Sequence, residues 1–74
     1  MEIQSVIIPK NNFTLSQANK WIKLNKFKLS FYGKKVENKK SFYRYRQLAP
    51  HHFKKYRLKK IGSDGIKLVL GIRK

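Results

Sequence analysis

The chain has 74 residues and no cysteine, which allows one domain that buries only about 60 to 65% of its unfolded surface, with no disulfide to reinforce the core. Against 3 acids stand 19 lysines and arginines, for a net charge of +16. Folding crowds these like charges together, so a polyanionic partner would relieve the strain. The inventory excludes thiolate chemistry and most structural zinc sites, and no apolar run approaches the roughly 20 residues of a membrane span.

Composition drift toward A/T-rich codons accounts for lysine over arginine, 15 of the 19 cations being Lys, but not for the shortage of acids. A standing anionic partner accounts for both. The N-terminus MEIQSVIIPK lacks the basic-then-apolar order of a secretory signal, and the protein is expected to stay where it is made.

Ile3 to Ile8 is β-branched and closed by Pro9, Lys10, Asn11 and Asn12, which predicts a short strand and a turn. Thr14 with Gln17 three residues later makes a capping box, and Phe13 and Ala18 occupy the two hydrophobic-staple positions, so a helix starts here. Its inward stripe is Leu15, Ala18, Trp21, Ile22 and either Leu24 or Asn25. Asn19, Lys20, Lys23 and Lys26 fall outward. At this spacing Trp21 reads as a core anchor rather than a stacking platform, and the outward lysines read as either solvated or ligand-facing.

From Leu29 the pattern turns to strands. LSFYGKKVENK, with Lys34 and Lys35 after Gly33, leads through a polar turn at Glu37, Asn38, Lys39 and Lys40 into SFYRYRQL, a hairpin. In the second strand Phe42, Arg44, Arg46 and Leu48 point one way, and Tyr43, Tyr45 and Gln47 the other. Two readings stand. Tyr43 and Tyr45 either pack inward, leaving the arginines to solvent, or stack on bases. In both, Arg44 and Arg46 form a cationic row about 7 Å apart, close to the phosphate spacing along one nucleic-acid strand.

Ala49, Pro50, His51, His52 and Phe53 break the strand pattern and predict a loop or short helical turn near residues 49–53. The two histidines suggest a metal, but sequence neighbours diverge in any regular element and no Cys, Asp or Glu stands nearby to complete a shell. Lys54 to Ile61 reads as a strand. Its KKYRLKK has the composition of a nuclear localisation signal, with a charged strand face as the plainer reading. Gly62 to Gly65 is a turn, and Ile66, Leu68, Leu70 and Ile72 line one face of a last strand. Lys67, Val69, Gly71 and Arg73 point outward, with Arg57 and Lys59 or their other-face partners beside them; Gly71 would let a ligand or another chain approach the backbone. The expectation is a single α+β domain over residues 1–74. It has two layers, β-α-β-β-β-β, with an antiparallel sheet of about five strands and one helix on one face.

FTLSQANKW, SFYRYRQLAP with HHF following, and KKIGSDGIKLVLG together resemble a short basic module encoded by large DNA viruses and tailed phages. Matching positions run from Phe13, Ala18 and Trp21 through Tyr43, Arg44, Tyr45, Arg46, Gln47, Pro50 and Phe53 to Gly62, Gly65 and Gly71, covering about residues 13 to 71. The resemblance implies a viral origin and a place in the virion or in the cytoplasm or nucleus of the host cell, and it carries no settled activity. In phages, similar segments look to be attached to capsid-maturation genes. This chain differs in being far more basic, and it is expected to stand alone.

With Glu2, Glu37 and Asp64 its only carboxylates, the chain offers no nucleophile-and-base set and no phosphate-loop or dinucleotide motif. It is expected to be neither an enzyme nor a cofactor protein. The leading expectation is sequence-independent binding of DNA or RNA through the phosphate backbone. The candidate contacts are Lys20, Lys23, Lys34, Lys35, Lys39, Lys40, Tyr43, Arg44, Tyr45, Arg46, Lys54, Lys55, Arg57, Lys59, Lys60, Lys67 and Arg73. The alternative is a virion structural or adaptor protein, monomer or homodimer, whose cations meet an acidic protein surface or the packaged genome and whose sheet edge docks by strand addition.

Overall fold

The computed structural model describes residues 2–29, 36–49, 53–62 and 64–73. The elements follow in the order β1 (Glu2–Pro9), α1 (Leu15–Leu24), β2 (Glu37–Asn38), β3 (Phe42–Arg46), β4 (Phe53–Ile61) and β5 (Ile66–Arg73). All described pairings are antiparallel, in a five-stranded sheet of order β2-β3-β1-β5-β4. The expected two-layer α+β domain is the observed one.

Local chemistry sets the helix. The Thr14 hydroxyl accepts from the Gln17 N–H at 3.2 Å and the Gln17 side chain accepts from the Thr14 N–H at 2.9 Å, the full capping box. Ala18 and Ile22 are buried from α1, and Trp21 packs against the core while stacking on Phe27 at 5.9 Å between ring centroids. Leu15, expected inward, is exposed, and so are both Leu24 and Asn25, the two alternatives for the last inward position. The helix buries Ala18 and Ile22 against the sheet with Trp21 beside them, and Asn25 caps its far end with its side-chain amide on the Trp21 carbonyl.

The register divides the sheet into two faces, because directly paired residues project to the same side. Val6 faces Tyr45 and Leu68, while Tyr43 lies opposite Ile8 and Ile61 opposite Ile66. These residues, with Ala18 and Ile22, form the core under the helix. Ser5, Ile7, Arg44, Arg46, Lys67, Val69, Gly71, Tyr56, Leu58 and Lys60 occupy the other, helix-free face.

Two expectations in the middle of the chain shift. Glu37 and Asn38, expected in a turn, form the short strand β2 opposite Arg44 and Tyr43, and the turn begins at Lys39, whose N–H reaches the Phe42 carbonyl at 3.0 Å. An ion pair of Glu37 with Arg46 holds this edge in place. The strand expected before Val36 and the helical turn expected near 49–53 fall mainly on residues 30–35 and 50–52, outside the described residues, and Phe53 already belongs to β4.

Gln47, buried, is fully used. Its carbonyl accepts from the Lys28 N–H at 2.8 Å and its amide donates to the Lys28 carbonyl at 3.0 Å, a reciprocal clasp tying the segment after the helix to the end of β3. A buried amide so satisfied fixes the chain path and leaves no unpaired polar group.

Candidate nucleic-acid interface

The few acids sort the cations. Glu37 binds Arg46 and lies 3.6 Å from Lys39, and Glu2 pairs with Arg73 at 2.8 Å. Burial pushes the Glu37 carboxyl up, but the hydrogen bond from Arg46 and the charges of Arg46, Lys39 and Arg44 outweigh it, and its pKa is lowered overall. Arg73 is raised by its hydrogen bond to Glu2 and by that carboxylate's charge. Arg44 donates to the Ser5 hydroxyl at 3.3 Å. The arginine row on β3 does lie on the helix-free face, as the alternation requires, but Arg46 is already neutralised locally and Arg44 is half-buried.

The cations of β4 are placed differently. The strand is an edge of the sheet, and every residue from Lys54 to Lys60 is exposed. A ten-residue helix is only about 15 Å long, and its core partners come from β1, β3, β5 and, in β4, Ile61 alone, so nothing among the described residues covers Lys54 to Lys60 on either face. Lys55, Arg57 and Lys59 lie opposite Ile72, Leu70 and Leu68 on the helix side of the sheet, while Lys60 lies opposite Lys67 on the helix-free side. A register shift between Phe53 and Lys55 places Lys54 at a bulge. The neighbours of Lys67, Val69 and Gly71 on the helix-free face are therefore Lys60, Leu58 and Tyr56, the other-face partners, rather than Arg57 and Lys59.

The aromatic residues correct one sequence reading. Tyr43 and Tyr45 are 8% and 1% exposed, inside the core, and the Tyr45 hydroxyl donates to the Asn19 side-chain oxygen at 2.7 Å. Burial, with the neighbouring Tyr43, raises the Tyr45 phenol to about 12. Neither ring offers a face for stacking, so both leave the set of candidate contacts. Among the described residues the tyrosine on the surface is Tyr56, 46% exposed, with Leu58 beyond it at 66%. The signal was present in the sequence: in KKYRLKK the apolar residues Tyr56 and Leu58 share one parity, while Lys55, Arg57 and Lys59 fill the other.

Gly71, read as an opening for a ligand or chain, is filled from within. A Cβ there would collide with the Phe53 ring, which lies over it buried, with Arg73 above at 5.8 Å and Tyr56 at its edge, 5.9 Å between centroids. The β4–β5 seam thus has a small apolar floor of Phe53, Val69 and Gly71 on the helix-free face.

The remaining candidates are scattered. Lys20 and Lys23 are exposed on α1, Lys39 and Lys40 on the β2–β3 turn, and Lys34 and Lys35 lie outside the described residues. Among the described residues no three His, Cys, Asp or Glu side chains come together in a metal-binding group, and His51 and His52 lie outside them. No helix among those residues is long and apolar enough to cross a membrane. Compared with protein-family models, with curated proteins and with solved structures, the chain matches none.

Proposed function

We propose that the protein is a non-enzymatic nucleic-acid-binding protein that grips the phosphate backbone, largely without regard to sequence, through the cations of β4. One observation carries this reading. Lys54, Lys55, Arg57, Lys59 and Lys60 stand exposed along an edge strand, whereas two of the three acids are engaged with Arg46 and Arg73 elsewhere. Lys67 adds a sixth charge opposite Lys60. Lys20 and Lys23 extend the field and guide encounter rather than define the contact.

Neutralising six phosphates releases their counterions, so log affinity falls with log salt at a slope of about −5 on duplex and about −4 on single strands. The test is fluorescence anisotropy across a salt series with the native chain and a Lys55→Gln, Arg57→Gln, Lys59→Gln variant. The expected result is a slope shallower by about 3 on duplex and about 2 on single strands in the variant. A native slope shallower than about −2 contradicts backbone binding.

A second reading, a virion structural or adaptor protein, is favoured by the nine-residue open edge of β4. Such an edge accepts an acidic strand by main-chain pairing. High-affinity binding to an assembly partner that survives high salt, with weak nucleic-acid affinity, selects it. The resemblance to the viral module agrees with either reading, the packaged genome being the polyanion in the first.

A further inference from the structure

We infer that the helix-free face of the β4–β5 hairpin is a track for single-stranded nucleic acid, one phosphate held between Lys60 and Lys67 and the adjoining bases resting on Leu58 and Tyr56. The inference rests on the nucleic-acid reading above and names its ligand class. Cross-strand pairs on this face follow in a fixed order: Lys60 with Lys67, Leu58 with Val69, Tyr56 with Gly71, and Phe53 with Arg73. Charge therefore gives way to apolar surface within one step of about 7 Å along the strand.

The charged end has the properties of an anion seat. Two lysines directly opposed across strands repel each other, an arrangement that costs stability unless a counter-charge sits between them. They border a cleft of about 450 Å³ whose wall includes Asn11, Asn12 and Gly65. Asn12 is anchored by its amide donating to the Asp64 carbonyl at 2.8 Å. Gly65 has φ +85°, and a Cβ there would press on Pro9 at 3.1 Å and narrow the cleft.

The apolar end separates single strands from duplex. A duplex presents phosphate and sugar to a flat sheet face and keeps its bases stacked inside, so Tyr56 and Leu58, exposed as they are, would gain nothing from it. A single strand offers π-faces, which an aromatic platform binds regardless of base identity. The buried floor of Phe53 and Val69 beneath supports these two side chains.

The experiment compares an oligothymidylate, a strand of the same length with abasic sugars, and a duplex, all at one salt concentration by anisotropy. The proteins are the native chain, Tyr56→Ala, Tyr56→Phe and the Lys60→Gln, Lys67→Gln pair, each checked for folding by circular dichroism. The track predicts that oligothymidylate binds about tenfold or more tighter than the abasic strand. Tyr56→Ala abolishes that preference and Tyr56→Phe keeps it, while the lysine pair weakens both strands alike. Equal binding of the thymidylate and abasic strands by the native chain, or preference for the duplex, overturns the track and leaves backbone binding standing. If none of the three ligands binds, both fall.

Discussion

Tyr45 decides which side of β3 belongs to the core. Its ring is buried in one cluster with Tyr43 and the helix residues Ala18 and Ile22, and its hydroxyl is satisfied by Asn19, a residue whose helical position alone marked it as outward. Tyr45→Phe should therefore fold and cost about 1 kcal/mol, read by urea unfolding; no loss would mean that the Asn19 bond adds nothing. The phenol is raised from 10.0 to about 12 in the folded state. Its contribution to stability is complete below pH 10 and lost as pH rises toward 12, because the unfolded chain ionises first. Alkaline unfolding monitored across that window should start at higher pH in Tyr45→Phe than in the native protein. The alternation YRYR made the split of faces legible, but which face was inner depended on where the helix lay, and short-range pattern does not contain that.

The β4–β5 hairpin shows the same division between what pattern carries and what packing adds. Its turn was legible because Gly62 and Gly65 take φ of +69° and +85°, conformations that glycine adopts without strain. The apolar parity of Ile66, Leu68, Leu70 and Ile72 also marked the inner face of β5. The second apolar floor was not legible, since Phe53 lies 18 positions before Gly71 and only the register brings its ring onto the glycine. Gly71→Ala should overpack this seam and destabilise by about 1–3 kcal/mol. In a Phe53→Ala background the same substitution should cost under about 0.5 kcal/mol, the two sites being coupled by direct contact. Additive effects in the double-mutant cycle would mean that the ring does not lie there. Leu24, similarly, fitted the helical stripe but falls past the edge of the packed ridge.

For the molecule as a whole, charge and topology act together. Among the described residues one short helix covers the middle of the sheet and leaves the most cationic strand at an edge, exposed from Lys54 to Lys60, so that five of the 19 cations stand together there. Edge lysines also oppose pairing of β4 with a second copy of itself. Screening should relieve the self-repulsion: raising NaCl from about 0.02 to about 0.5 M should stabilise the fold by about 1 kcal/mol, a rise in Tm of about 4–8 °C. A Tm that stays flat or falls with salt would mean that the crowded cations do not strain the native state. The most direct measurement of the central claim is an amide chemical-shift titration of the labelled protein with a single-stranded octanucleotide. The account predicts the largest shifts at residues 54–60 and at Lys67, with Arg46 and Arg73 little changed. Shifts centred on β3 and the acid-paired arginines, or no shifts at all, would contradict it.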